Sequence, residues 1–190
     1  MPLTLAQRRL RRLWDKGIGL PGNNDKILAV ARRLSPKVNA SVLGGIAVNL
    51  HGYHRTTIDL DFYTEDRKVT DVELRAAGAR WDSTAREHVL DDVRIHTVTP
   101  EDARHRVQRV SEIDGIRVVS LKDLIAIKLL TGLNFPDRAK DIADVQELVR
   151  AIPLDKTFAP KLPKALRADF KRIVDAVRAG EEMRRDGPRF

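Results

Sequence analysis

The chain has 190 residues, 42% hydrophobic and 33% charged, enough for one domain or one domain with a helical appendage, and too apolar for a disordered chain. It contains no cysteine, which excludes disulfide scaffolds, thiolate zinc sites and thiol nucleophiles. The formal charge of +8 is uneven: residues 1–40 hold nine basic and two acidic side chains, residues 41–150 sixteen and nineteen, and residues 151–190 ten and six. Basic ends around a mildly acidic middle can attract a polyanion, an acidic partner or a membrane surface, or serve solubility alone. No apolar run is long enough to span a bilayer, and the first residues lack the pattern of a signal peptide. The expectation is a soluble, cytoplasmic protein with no membrane partner.

Residues 4–16 set Leu5, Leu10, Leu13 and Trp14 among Arg8, Arg9, Arg11 and Arg12, a basic amphipathic helix pattern that the Gly17 to Gly22 run breaks. That helix fits nucleic acid, the rest of the domain or an acidic partner equally well. Asn24 or Asp25 caps a second helix whose stripe is Ile27, Leu28, Val30, Ala31 and Leu34, and which stops near Ser35-Pro36. Ser41 to Leu43 reads as a buried strand, Gly44-Gly45 as a tight turn, and Ile46 to His51 as a helix ending at Gly52. Thr57 to Phe62 alternates as a strand, and Val72 to Ala77 reads as a helix. His88 to Leu90 and Val93 to Val98 form a hairpin turning at Asp91-Asp92. Glu101 to Arg109 reads as a helix and Ile116 to Val119 as a strand. An apolar helix follows from Leu121 to Leu129 with Ser120 at its N-cap, then a Gly132 to Pro136 loop and a helix from Asp137 to Arg150. Pro153, Pro160 and Pro163 mark a linker, and Ala165 to Arg178 is a last basic helix.

The informative stretch runs from Ser41 to Phe62. Asp59 and Asp61, two apart on a strand, share one face, with Ile58, Leu60 and Phe62 on the other. Two like charges side by side call for a neutralising cation or basic group. Mg²⁺, a hard ion that takes one or two carboxylates plus phosphate oxygens, fits that need. Gly44-Gly45 ahead of a helix lets backbone N–H groups approach phosphates with no β-carbon in the way. Each part alone is weak; in this order and spacing they suit metal-assisted nucleotidyl transfer.

This order resembles the opening motif of the polymerase-β-like nucleotidyltransferase superfamily, a hydrophobic residue and Gly-Gly or Gly-Ser followed by Asp-x-Asp/Glu. The fuller string, Gly44-Gly45-x-Ala47, His51-Gly52, Arg55-Thr56 and Thr57-x-Asp59-Leu60-Asp61-Phe62, is similar to the AbiEii/AbiGii-type branch, which includes toxins of bacterial toxin–antitoxin systems. Leu121 to Lys128 and Arg138 to Asp144 are similar to that branch's later helices, and the resemblance covers residues 38–150. It implies that Gly44 and Gly45 bracket the nucleotide phosphates and that Asp59 and Asp61 bind the metal. It further implies that Lys128 contacts the triphosphate and that Asp141 has a supporting or base-like role, with Asp144 a weaker candidate on the same helix face.

One position departs from the superfamily. A later strand commonly carries a third carboxylate, and here Val93 to Val98 offers His96. Neutral imidazole can accept a proton or ligate a metal but supplies no negative charge. Asp91 and Asp92 are the carboxylates that could compensate, although hairpin-turn carboxylates are more often solvated. Among the remaining candidates, His51 and His54 read as capping and turn packing rather than substrate contacts. Arg55 either pairs with an acidic neighbour or reaches a phosphate. Lys122 and Asp123 belong to a first helical turn. His88 and His105 read as surface or satisfied polar groups, and no histidine pair has zinc spacing.

The expected architecture is α+β: basic N-terminal helices over 1–37, a small mixed nucleotidyltransferase-like sheet flanked by helices over 38–119, and a helical C-terminal part over 120–190. The expected activity is Mg²⁺- or Mn²⁺-dependent transfer of a nucleotide from an NTP to an acceptor hydroxyl of RNA, tRNA or protein. The resemblance adds the setting of a toxin with a cognate antitoxin. The alternative is an inactive module of the same fold that binds RNA or a partner protein. A small-molecule aminoglycoside nucleotidyltransferase is disfavoured, because a cationic surface repels cationic substrates.

Overall fold

The structure is a computed structural model that describes residues 23–186; the expected helix over residues 4–16 lies outside them. The described residues fall into two compact units, the first ending at Leu124 and the second beginning at Ile125.

The first unit is built on a mixed seven-stranded sheet of order β3-β4-β5-β2-β1-β7-β6. Its strands are β1 (Ser41–Leu43), β2 (Asp59–Tyr63), β3 (Arg80–Asp82), β4 (Glu87–Leu90), β5 (Val93–Val98), β6 (Val110–Ile113) and β7 (Ile116–Val119). β1 runs antiparallel to β2 and parallel to β7, and β2 runs parallel to β5. A parallel pair needs a long crossover. Here the chain between β2 and β5 supplies helix α3 (Arg67–Ala76) and the β3–β4 ribbon. Two helices precede β2 in the chain, α1 (Asn23–Leu34) and α2 (Gly44–Leu50). The stripe Ile27, Leu28, Val30, Ala31 and Leu34 is buried as its periodicity predicts, together with Ile46, Val42, Leu60, Phe62, Ile95 and Val118. α1 stops at Leu34, one residue before Ser35-Pro36, and the buried Ser35 accepts the Arg117 backbone N–H at 2.7 Å, tying the end of the helix to β7.

Several local expectations change. Gly44-Gly45 is the first turn of α2 rather than a turn ahead of it. Two unexpected edge strands, β3 and β6, flank the sheet. The helix expected over Glu101 to Arg109 shrinks to one turn, α4 (Pro100–Ala103), opened by a Thr99–Asp102 capping box and closed by Arg104 at φ 51°. Beyond it, the N–H groups of Gln108 and Arg109 donate to Asp123 Oδ2 at 3.3 and 3.2 Å, which draws the chain out of helix.

Helix α5 (Leu121–Asn134) starts at Ser120 as expected, where the Asp123 N–H donates to Ser120 Oγ at 3.2 Å. It runs through the loop expected from Gly132, with the Thr131 hydroxyl and Asn134 amide donating back to the carbonyls of Ile127 and Leu130. The second unit continues with α6 (Ala139–Ala151) and α7 (Arg167–Asp186). The proline-marked linker is two 3-10 turns, Lys156–Lys161 and Lys164–Leu166, in which Phe158 packs against Phe170 of α7 with ring centres 5.5 Å apart. The whole is the expected α+β class, with its sheet between residues 41 and 119 and a helical C-terminal part.

Candidate functional site

The site rests on β2 and its parallel neighbour. Alternation puts Leu60 and Phe62 into the core, fully buried, and leaves Asp59 and Asp61 half-buried on the opposite face. The β2–β5 register sets Asp61 opposite His96 and Asp59 opposite Arg94. One ligand atom from each of Asp59, Asp61 and His96 lies within 4.8 Å of the others. Imidazole Nδ1 is 3.5 Å from Asp61 Oδ1 and 3.9 Å from Asp59 Oδ2.

Neighbouring groups hold these carboxylates in place. Thr57 Oγ1 donates to Asp59 Oδ1 at 3.1 Å. Thr57 itself is pinned by Asn24, which accepts its backbone N–H at 3.1 Å while donating to the Arg55 carbonyl at 2.8 Å. Asn24, expected as a helix cap, thus spends its amide on the approach to β2. Asp61 lies against Gly44, whose φ is +63° and where a β-carbon would fall 1.8 Å from Asp61 Oδ2. A β-carbon on Gly45 would meet Thr57 Oγ1 at 2.6 Å and a guanidinium nitrogen of Arg55 at 3.2 Å. The first turn of α2 is glycine because the carboxylates and their supports press directly on its backbone.

His96 has a second partner that the sequence reading missed. Its Nε2–H donates to Glu87 Oε2 at 2.7 Å, and Glu87 is buried on β4 with Arg94 Nε 3.9 Å from its other oxygen. Glu87 is the carboxylate behind the position where the superfamily motif led us to expect one. Asp91 and Asp92 do not compensate there; they pair with Arg33 at 2.8 Å and Lys26 at 3.0 Å. Hydrogen bonding to Asp61 raises the His96 pKa to about 9 against the opposing effect of burial, with Glu87 and the charges of Asp61 and Asp59 adding to the rise. In the metal-free protein at neutral pH, His96 is therefore an imidazolium that counters two carboxylates. Two like charges on one face of the strand call for a neighbouring cation. The donor set, two carboxylate oxygens and one imidazole nitrogen, fits a divalent metal ion.

Lys128, Asp141 and Asp144 belong to the second unit, where they form a buried group of their own. Lys128 Nζ is 2.8 Å from Asp141 Oδ1 and 2.7 Å from Asp144 Oδ2, and Arg138 Nε donates to the other Asp141 oxygen at 2.9 Å. Burial alone would raise the Asp141 pKa; Lys128 first, then Arg138, bring it below the ordinary value.

Most of the remaining candidates have structural partners. His51 is buried, its Nε2–H donating to the Val119 carbonyl at 2.8 Å, and burial lowers its pKa, as it does for His54. Arg55 holds its loop through its backbone, its N–H donating to Asn49 Oδ1 at 2.9 Å. His105 donates to Asp123 at 2.9 Å. His88, read as a surface or satisfied group, is instead fully buried edge-on to Trp81 with its Nε2 unpartnered.

The sequence matches no protein-family model and no curated protein. Among solved structures it is similar to a candidate nucleotidyltransferase from H. pylori, with 16% identity and a TM-score of 0.52 over 85% of this chain and 80% of that one. It is also similar to an antigenic nucleotidyltransferase-like protein from Paracoccidioides brasiliensis, with 16% identity and a TM-score of 0.51 over 87% and 91% of the two chains. At such identities the likeness speaks for the fold alone. The chain has a nucleotidyltransferase-like fold, and its sheet carries a cluster of Asp59, Asp61 and His96 able to hold a metal ion.

Proposed function

We propose that this chain is a metal-dependent nucleotidyltransferase that moves a nucleotidyl group from an NTP to an acceptor hydroxyl. The observation that carries the reading is the Asp59–Asp61 pair, held against Gly44 on the sheet of a nucleotidyltransferase-like fold. In such a transfer the acceptor oxygen attacks the α-phosphorus, the bond to the bridging oxygen breaks, pyrophosphate leaves, and the hydroxyl proton passes to a base. A bound divalent cation, Mg²⁺ or Mn²⁺, supplies Lewis-acid neutralisation of the phosphate charge. Asp59 and Asp61 hold that charge at a defined place, Thr57 orients Asp59, and Gly44 and Gly45 make room for Asp61 and Thr57 beside the first turn of α2; the resemblance gives the same two glycines the nucleotide phosphates. The resemblance to the AbiEii/AbiGii-type motifs gives Lys128 a contact with the triphosphate; within its own unit Lys128 Nζ is held by Asp141 and Asp144. The resemblance gives Asp141 a supporting or base-like role, and its ion pairs with Lys128 and Arg138 favour the supporting one.

The acceptor we favour is RNA, tRNA included, ahead of a protein hydroxyl, since both ends of the chain are basic. The similarity to the AbiEii/AbiGii-type motifs supports a toxin role with a cognate antitoxin. A second reading, an inactive module that binds RNA or a partner, is favoured by one observation: His96, and not a carboxylate, stands beside the aspartates, with Nδ1 3.5 Å from Asp61 and 3.9 Å from Asp59.

The test is transfer of α-³²P from each of the four NTPs to total RNA and to protein, with Mg²⁺ or Mn²⁺ present. Metal-dependent label that disappears in both Asp59→Ala and Asp61→Ala establishes the enzyme, and the labelled fraction identifies the acceptor. Full transfer in either variant sinks the proposal, and binding of NTP or RNA without label selects the inactive module.

A further inference from the structure

The third donor of the cluster says which kind of ion the cluster suits. Asp61, His96 and Glu87 come from three adjacent strands, β2, β5 and β4, so sheet pairing rather than a loop positions the imidazole. Glu87 Oε2 accepts the hydrogen bond from His96 at 2.7 Å, which puts a proton on Nε2. Once the ring is neutral, the nitrogen left with a lone pair is Nδ1, the one 3.5 and 3.9 Å from the two aspartates. Ligands about 2.0–2.2 Å from one ion stand no more than about 4.4 Å apart, and both separations meet that limit. A buried carboxylate fixing the far nitrogen of a ligating histidine is the usual support of imidazole–metal bonds.

The donor chemistry then discriminates between ions. Mg²⁺ prefers oxygen ligands in near-octahedral geometry and gives up water reluctantly, whereas imidazole nitrogen suits first-row transition ions. We infer that the Asp59–Asp61–His96 site is built for a divalent first-row transition ion such as Mn²⁺ or Co²⁺ in preference to Mg²⁺, with Glu87 as the positioning residue that holds the His96 ring. The inference rests on the cation site of the proposed function and narrows the ion it takes.

The experiment is a titration of the full, metal-stripped chain with Mn²⁺, Co²⁺ and Mg²⁺, read as the shift of thermal midpoint and, for Co²⁺, as its visible absorption. Mn²⁺ and Co²⁺ are expected to raise the midpoint at concentrations at least about tenfold below Mg²⁺, with a Co²⁺ spectrum that changes in His96→Asn. His96→Asp, which restores an all-oxygen site, is expected to erase the preference. Glu87→Gln is expected to weaken Mn²⁺ about 10- to 100-fold while leaving Mg²⁺ nearly unchanged, a split that a merely structural role would not produce. The wild-type comparison needs no variant to fold. Equal potency of Mg²⁺ and Mn²⁺ in the wild type overturns the inference and leaves the proposed function standing. No midpoint shift with any of the three ions overturns the cation site and the inference together. Tight Mn²⁺ binding without nucleotide transfer upholds the inference and removes the transferase reading.

Discussion

Gly44 has no side chain where Asp61 has its carboxylate: a β-carbon at Gly44 would stand 1.8 Å from Asp61 Oδ2. Gly44→Ala is therefore expected to act twice. The left-handed backbone at φ +63° costs roughly 1–2 kcal/mol for a residue with a β-carbon. The clash also pushes Asp61 out of line with His96. Displacing a reacting group by about 1 Å can lower a rate about 100-fold. On the proposed function, nucleotide transfer should fall by that order while the chain stays folded, as judged by far-UV circular dichroism and activity side by side.

His96 makes the metal-free protein sensitive to base. Its pKa rises from 6.5 to about 9 on folding, so the folded state binds the extra proton. That contribution to stability is fully present below pH 6.5 and is lost as pH rises through about 9. Urea midpoints of the metal-free chain should fall across that window, and the fall should be absent in His96→Asn. An unchanged slope in the variant would assign the effect to other groups.

Lys128 is the ammonium between two buried carboxylates. Lys128→Met leaves Asp141 and Asp144 without it, and breaking a buried pair of this kind costs about 3–5 kcal/mol. Adding Asp141→Asn and Asp144→Asn to Lys128→Met should recover much of the loss, because the uncompensated charges are gone. Denaturant unfolding of the full chain, with the single and triple variants compared, measures both steps.

Asp123 has no exposed surface and gathers four donors around the start of α5: Ser120 Oγ, His105 Nε2 and the N–H groups of Gln108 and Arg109. Burial would raise its pKa, but the hydrogen bonds from His105 and Ser120, helped by Lys122, bring it below the ordinary value. Its contribution is thus present above about pH 4 and lost as pH falls through the lower folded value. Asp123→Ala should cost about 1–3 kcal/mol at neutral pH and flatten the acid limb of the stability profile. Faster amide exchange at Gln108 and Arg109 would mark the same loss.

The parts of this fold that the sequence reveals are those whose signals are local. Proline after Ser35 stops α1, alternation sets Asp59 and Asp61 on one face, and Ser120 opens α5. The missed edge strands β3 and β6 are short and largely exposed, so they show little of the apolar alternation that marks β2. The overextended helix after Glu101 fails for a distant reason: Asp123 takes the N–H groups that the helix would have used. Glu87 lies between these cases. The Asp91-Asp92 turn sets Leu90 opposite Val93, Val89 opposite Arg94 and His88 opposite Ile95, and one further step along that ladder faces Glu87 with His96. The register was legible; what the sequence did not announce was that a buried glutamate would be the imidazole's partner.

The parallel pairing of β2 with β5 also has a kinetic consequence. Asp61 and His96 become neighbours only after the chain has closed the whole crossover through α3 and the β3–β4 ribbon. Contacts that close long loops form slowly, because the entropy of closure comes before the reward. Interactions made after the folding barrier slow unfolding rather than speed folding. If β2–β5 docking follows the rate-limiting step, whatever binds between those strands will lengthen the native lifetime while leaving the folding rate nearly unchanged.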